Sequence, residues 1–370
     1  MSEQPKILHI DTGRGWRGGQ QQAVYLYEGL IEKGYQTNFF CRPDSDLENY
    51  FNANDLSHKT AGLKNELDFI SAWEIAQYAR KNGYNILHLH TAHALSIGLL
   101  AKLFLPSLLT IGVRRVDFHI RKNPFSKLKY NTNKLNKLVC ISQAIQKIAI
   151  DDGIDQQKTE VIHSGIDIHK FDAVKADSSF KESLGIPADH VVIGTVAALV
   201  GHKDYPNLLS AAQKVIQHTE RVSFLAAGSG ARESDIKHLA NSLELQNRFH
   251  FLGYRNDIGK VLKSMDIFVM SSKEEGLGTS ILDAQAIGLP CVGTDAGGIP
   301  EIIHDGENGL LIPRQNPEKL ADALLKLVAR QDLREQYGKK ARQTVKNYSK
   351  EKTTQKNIDL YQRLIEEQNQ

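Results

Sequence analysis

Two stretches of this chain share one pattern, and that pattern leaves few folds open. At 267–288 an apolar run, Ile267-Phe268-Val269-Met270, enters a polar loop containing Gly276 and Gly278, and a helix opens near Thr279. Near the N-terminus, Lys6 to Ile10 enters Gly13, Gly15, Gly18 and Gly19, and a helix is predicted from about Gln20 to Lys33. An apolar run too short for a helix, then glycine, then a helix is the repeating unit of a parallel α/β sheet. A length of 370 residues accommodates two such domains. The expected division is 1–168 and 169–349, with 350–370 forming a last helix that packs back on the first domain. The polar segment 168–188 reads as the linker.

The 271–288 stretch also carries chemistry. Gly276 and Gly278 let the backbone approach a ligand without a Cβ in the way. The free N–H groups and positive dipole end of the following helix suit a phosphate. Two acids frame the loop, Glu275 and, eight positions on, Asp283. Anion donors between hydroxyl acceptors match a diphosphate flanked by two sugars, as in a nucleotide-sugar. Ser280-x-x-Asp283 equally fits a helix capping box, which would make Asp283 structural.

Composition excludes several classes. Apolar content of 41% and charged content of 24% are those of an ordinary globular enzyme. Cys41, Cys140 and Cys291 are isolated and without metal spacing, so buried thiols in a reducing compartment are expected. The polar N-terminus leads straight into a strand, without the pattern of a signal peptide. Leu95 to Val113 is broken by Lys102, Pro106 and Ser107 and reads as helix then strand, not as a membrane span. A cytoplasmic protein is expected. Residues 101–150 hold ten Lys or Arg and one acid. The interleaving of Arg121, Lys122, Lys127, Lys129, Lys134 and Lys137 with Phe118, Phe125 and Tyr130 across 118–138 suits peripheral contact with an anionic inner membrane. It equally suits a solvated helix face. No nucleic-acid recognition motif is present.

Glu275-Gly276-Leu277-Gly278 followed by Asp283 resembles the signature of the retaining glycosyltransferases of family four. Their second acid, eight after the first, is usually Glu. The downstream run fits as well: Gly288-Leu-Pro290, Thr294, Gly297-Gly298-Ile-Pro300-Glu301, then Asp305-Gly306-Glu-Asn308-Gly309. Weaker resemblance covers nearly the whole chain. It implies the GT-B fold, two Rossmann-like doubly wound parallel-sheet domains facing across a cleft. It also implies transfer of a sugar from a nucleotide-diphosphate sugar to a glycan or lipid-linked acceptor, with retention and without metal or other cofactor. Arg114-Arg115-Val-Asp117-Phe118 matches a bacterial subgroup of cell-envelope polysaccharide assembly, lipopolysaccharide or capsule.

The resemblance also assigns candidate residues. Lys203, Glu275 and His90 are the expected catalytic set. Gly18, Gly19, Lys203, Tyr254, Glu275, Gly276, Leu277, Gly278, Thr279, Ser280 and Asp283 are expected around the donor. Trp16, Arg17, His93, Arg114 and Arg115 are expected on the acceptor or phosphate side. Tyr361 and Leu364 would anchor the last helix. Ala198 stands where the family usually has a phosphate-binding Arg, and His202, Arg114 or Arg115 is expected to compensate. Asp44-Ser-Asp46 looks like a metal motif of the other glycosyltransferase fold but reads as a helix cap. His88, His90 and His93 lack a nearby carboxylate or cysteine for zinc. Three other readings compete: a nucleotide-sugar epimerase of similar fold, an inactive GT-B binding protein, and a nucleic-acid binder.

Overall fold

The structure is a computed structural model that describes residues 4–119, 124–175 and 178–370, without the side chains of 124–126 and 178. The chain divides into two compact units, 1–166 with 350–370, and 167–349. In the first, strands β1 (Ile7–Ile10), β2 (Thr37–Cys41), β3 (Lys59–Thr60), β4 (Ile86–Leu89), β5 (Leu109–Arg114), β6 (Lys137–Cys140) and β7 (Thr159–Val161) form a seven-stranded sheet ordered β3-β2-β1-β4-β5-β6-β7. In the second, β8 (Val191–Val196), β9 (Val222–Ala227), β10 (Phe249–Gly253), β11 (Ile267–Met270), β12 (Cys291–Thr294) and β13 (Gly309–Ile312) are ordered β10-β9-β8-β11-β12-β13. Every pairing is parallel. Both are doubly wound Rossmann-like sheets, the architecture of GT-B proteins.

Strand order decides where a ligand can sit. In each sheet the winding reverses between the first strand and the fourth, so β1 and β4 flank one switch point and β8 and β11 the other. Loops leaving the carboxyl ends of such strand pairs diverge and open a crevice. Those loops hold 11–19 and 90–93 in the first unit, and 197–204 and 271–278 in the second.

The strands are buried on both faces, which explains their continuous apolar runs. In the first unit Ile358, Leu360, Tyr361, Leu364 and Ile365 of the last helix, Lys350–Asn369, join Ile7, Ile86 and Ile111 in one core. Each such buried side chain contributes about 1.5–3 kcal/mol. The Tyr361 hydroxyl bonds His88 Nδ1 at 2.7 Å.

Several expectations change. The linker segment is not simply polar coil: Phe171 and Ile186 are buried, and Phe171 packs where Gly259 leaves room. Ser280 does not cap its helix. The cap position is Gly278, held at φ 90°, where a side chain would be strained. The first helix starts at Gly18 because the Gln20 side chain reaches back to the Arg17 amide. Asp44-Ser-Asp46 is a cap, with Ser45 accepting from the Glu48 amide.

The basic stretch is not one uniform face. Tyr130 is buried, and the Lys129 ammonium is tied to Ala92 O and Ser96 Oγ, each at 3.2 Å. Lys137 is held by Gln157 O at 2.7 Å. Arg121, Lys122 and the Phe125 side chain lie outside the described residues. All three cysteines are buried and free. Among the described residues no helix is long and apolar enough to cross a membrane.

Candidate functional site

The second unit builds its site from the loops after β8 and β11. The turn Gly201–Lys203 is clamped to the β11 loop by Lys273 N donating to His202 O at 2.9 Å and Ser271 Oγ donating to Lys203 O at 3.0 Å. That clamp brings Lys203 and Glu275, 72 residues apart in sequence, into an ion pair. Their side chains are 15% and 12% exposed, so the pair is largely shielded from water. Ser272 Oγ adds a hydrogen bond to the same Glu275 oxygen at 3.1 Å.

The glycines downstream hold this loop from behind. Gly298 N donates to Glu275 O at 3.1 Å. A Cβ on Gly297, which has φ 49°, would stand 1.7 Å from that oxygen. Only glycine permits this approach.

Helix Thr279–Ala286 starts beside the pair. Among the described residues no acceptor faces the amides of Gly278, Thr279 and Ser280. Four things therefore lie around one strand pair: a cation, a carboxylate, unsatisfied amides and a positive dipole end. Leu277 is buried, so only its backbone can face a ligand. Asp283 lies one turn into the helix, half-buried and without a hydrogen-bond donor among the described residues. Burial pushes its carboxyl up to about 6, with Lys170 opposing and Asp167 adding to the rise. Tyr254, just beyond β10, is exposed. Ala198, just beyond β8, is also exposed and supplies no charge.

The first unit builds a polar cluster at the carboxyl ends of β1, β4 and β5. His90, expected in the catalytic set, is buried at the end of β4. Arg115 donates to His90 O at 2.6 Å and to His90 Nδ1 at 3.1 Å. A guanidinium only donates, so His90 Nδ1 accepts and its proton lies on Nε2. Nε2 then donates to His9 Nδ1 at 2.9 Å. Both nitrogens of His90 are engaged, and burial holds His9, His88 and His90 neutral, His9 down to about 3. His90 is thus a brace for Arg115, not an open acid or base.

Arg114 departs further from expectation. It is buried, donates to Phe118 O, and lies over the rings of Phe118 and Tyr130. Its loop folds back over it, so it is not displayed at the sheet edge. Two nitrogens of Arg115 donate to His90, while its Nε is buried without a partner among the described residues. His202, in the same unit as Ala198, is exposed.

Sequence reasoning missed Asp11 and Gln20. Asp11 is buried at the end of β1 and accepts from Gly13 N at 2.7 Å and from Gln20 Nε2 at 3.2 Å. Burial raises its pKa, while those bonds and the charge of Arg115 oppose the rise. An acid directly after an apolar strand and before glycine was the available signal. A Cβ on Gly19 would lie 3.5 Å from Arg115 Cδ, so Gly18-Gly19 sits above the braced arginine. Trp16 packs on Tyr50 with ring centroids 5.0 Å apart, Arg17 is exposed, and His93 lies 3.7 Å from Glu66. Among the described residues no group of three or more His, Cys, Asp or Glu is placed to hold a metal ion.

Comparison with known proteins agrees with this layout. Residues 16–170 match Glycosyltransferase Family 4, and residues 177–344 match Glycosyl transferases group 1. The chain is 26% identical over 341 residues to the UDP-Gal:alpha-D-GlcNAc-diphosphoundecaprenol alpha-1,3-galactosyltransferase of Escherichia coli, covering 87% of each. Two further relatives are matched over 54% of their own length. A glycosyltransferase from Rickettsia africae superposes with a TM-score of 0.86 at 22% identity, over 98% of this chain and 99% of that one. The Anabaena protein HepE, in complex with UDP and glucose, superposes with 0.83 at 21%, over 96% and 98%. The Glu275 loop with its paired Lys203 therefore sits within a matched domain, and the chain belongs to the family-four, group 1 glycosyltransferases.

Proposed function

We propose that the protein transfers a sugar from a uridine-diphosphate sugar to a lipid-linked glycan, with retention of anomeric configuration, in cell-envelope polysaccharide synthesis. One observation carries the reading: the Lys203–Glu275 pair beside the open amides of 278–280, at the switch point of the second sheet. The uridine and the lipid-linked acceptor follow the E. coli relative's name, and the HepE complex supports UDP.

In this mechanism Lys203 leaves Glu275 for the diphosphate, and the amides of Gly278, Thr279 and Ser280 take further phosphate oxygens. Glu275, with Gly276 and Leu277 giving backbone contact, accepts hydroxyls of the donor sugar. Asp283 accepts the ribose hydroxyls, and Tyr254 stacks on the base. The bond from the anomeric carbon to the diphosphate oxygen breaks, and its electron pair stays on that oxygen. The acceptor hydroxyl attacks from the same face, and its proton passes to the departing diphosphate. Lys203 and the helix dipole stabilise the charge that develops there.

The first unit is the acceptor-binding domain. Gly18-Gly19, Trp16, Arg17 and His93 line the acceptor side, with Arg115 held by His90 beneath. No metal or cofactor enters the scheme. The enzyme works in the cytoplasm, in peripheral contact with the inner membrane on the side of 118–138.

The test is a thermal-shift screen against UDP, GDP, ADP and CMP and their sugars, with Lys203→Ala, Glu275→Ala and Asp283→Ala. A rise for UDP that is lost with Lys203 and Asp283, and an added rise for one UDP-sugar that is lost with Glu275, is the expected result. Conversion of donor to an isomeric nucleotide-sugar without acceptor would instead mark an epimerase. A flat screen would make Ala198 the mark of an inactive binding protein.

A further inference from the structure

The helix Phe69–Asn82 begins in an unusual way. Its inward face is ordinary: Ala72, Ile75, Ala76 and Ala79 are buried. Its first turn and the residue before its cap also carry large apolar groups outward. Leu67 is 71% exposed, Phe69 51%, Ile70 73% and Trp73 51%. Positions 69, 70 and 73 share one face at helical spacing, so the four side chains are contiguous.

Two further elements supply the same end of the sheet. Phe69–Asn82 follows β3, helix Pro124–Asn131 follows β5, and in a parallel sheet both start at the carboxyl edge. Lys129 bonds Glu66 at 3.3 Å and so ties the two helices together. Leu128, between Lys127 and Lys129, is 70% exposed. Val116 and Phe118, in the loop after β5, are also exposed. Thus seven of the ten exposed large apolar side chains among the described residues stand at this edge.

We infer that this cluster, centred on Leu67, Ile70 and Trp73, docks the first unit on an anionic lipid bilayer. The inference deepens the membrane contact proposed above. It transfers the anchoring role from the lysines of 118–138 to an apolar cluster on the segment tied to Lys129. Two observations favour lipid over a second copy of the chain. Four side chains exposed by half to three-quarters offer roughly 400 Å² of apolar surface. A standard protein interface needs about 800 Å² per partner. The charge pattern points the same way. Lys64 and Lys127 are exposed on the two segments that carry the cluster, while the acids of 62–74 are largely taken. Glu66 pairs with Lys129, and Asp68 accepts from the amides of Lys64 and Ser71 at 2.9 and 3.0 Å. Glu74 alone is left unpaired in 62–74. Tryptophan with aliphatic neighbours and flanking lysines is the composition that settles at a lipid–water boundary.

The test is sedimentation of the full chain with vesicles of equimolar phosphatidylglycerol and phosphatidylcholine, against phosphatidylcholine alone. Binding to the first and quenching of tryptophan emission by brominated acyl chains are expected. Ile70→Ser with Trp73→Ser should weaken binding by about tenfold or more. Thermal unfolding and UDP affinity should be unchanged, since both positions are exposed. Lys64→Glu with Lys127→Glu should weaken binding less, and mainly at low salt. Loss of binding only in the lysine variants would overturn the apolar anchor and leave the membrane contact standing. No vesicle binding by the unmodified protein would overturn both. Self-association abolished by the serine variants, without vesicle binding, would assign the cluster to a second copy. UDP affinity is read separately, so none of these outcomes bears on sugar transfer.

Discussion

The ion pair between Lys203 and Glu275 sets two demands against each other, and substituting each partner should move ligand affinity in opposite directions. The pair is shielded but not sealed. Exposed pairs contribute about 0–1 kcal/mol, and breaking a fully buried one costs about 3–5 kcal/mol. Loss of either partner here should therefore cost about 2 kcal/mol. Lys203→Met leaves Glu275 with only the Ser272 hydroxyl, and Glu275→Gln leaves the ammonium with a neutral amide. The double variant removes both charges and should lose less than the two single losses added together, by about 1–2 kcal/mol.

Binding of UDP without sugar gives the sharper result. In the proposed mechanism UDP binds Lys203, which must first leave Glu275. Glu275→Gln should therefore tighten UDP by the worth of the pair, about 1–2 kcal/mol or roughly 5–30-fold. Lys203→Met should weaken it by about 1.5–3 kcal/mol, roughly 10–150-fold. A UDP-sugar also uses Glu275 for its hydroxyls, so Glu275→Gln should shrink the preference for UDP-sugar over UDP. Titration calorimetry with both ligands, beside urea unfolding of all four proteins, measures every term. If Glu275→Gln weakens UDP and UDP-sugar alike while stability changes little, the glutamate holds the nucleotide itself and the exchange of partners is wrong.

Asp283 should give a pH signature. Its folded pKa lies near 6, above its ordinary 3.8, so its neutral form suits the fold. Its stabilising contribution is full below the unfolded value and is lost as pH rises through about 6. Asp283→Asn should thus gain about 2 kcal/mol of stability over the natural chain at pH 7.5 and almost none at pH 3. UDP affinity, which needs the carboxylate, should rise from pH 5 to 7 in the natural chain and stay flat in the variant. Ala198→Arg should raise UDP affinity about tenfold by restoring a charge-assisted bond, and unchanged affinity would mean that this position does not face phosphate. Gly297→Ala should cost about 2–4 kcal/mol in urea unfolding, because its Cβ meets the backbone oxygen of Glu275. Tyr361→Phe should cost about 1–1.5 kcal/mol, leaving buried His88 without its partner.

What could be read from sequence was what is local. Glu275, the glycines and Asp283 fall within nine residues, so their chemistry is visible as a string. The strand–glycine–helix grammar is equally local and defines both sheets. Lys203 could be named only through resemblance, since its partner is 72 residues away. Arg114 was misjudged for a related reason. A strand end predicts exposure, but the chain folds back at 118 and offers it a carbonyl and two rings. His90 was placed at the right strand end, but its burial was not legible, because His9 and Arg115 close over it from other strands. The apolar turn at 67–73 escaped notice because exposed and buried apolar positions alternate there without a break in composition.

The charges within the second unit itself can be set against those of the proposed donor. A donor diphosphate brings about two negative charges, and Lys203 supplies one positive charge. The amides and dipole at Thr279 add about half a charge more. Arg114 and Arg115, which were expected to compensate, bond Phe118 O and His90 within the first unit. The shortfall bears on the transition state more than on the donor complex, because charge accumulates on the diphosphate as the sugar bond breaks. If the proposed roles of Lys203 and the 278–280 amides hold, donor turnover should be slow unless the acceptor or His202 brings a positive charge of its own. The lipid-docking segment proposed above would then be part of the rate. A protein anchored on lipid through 67–73 meets a lipid-linked acceptor at high local concentration, which offsets a modest intrinsic rate without any change in the catalytic loop.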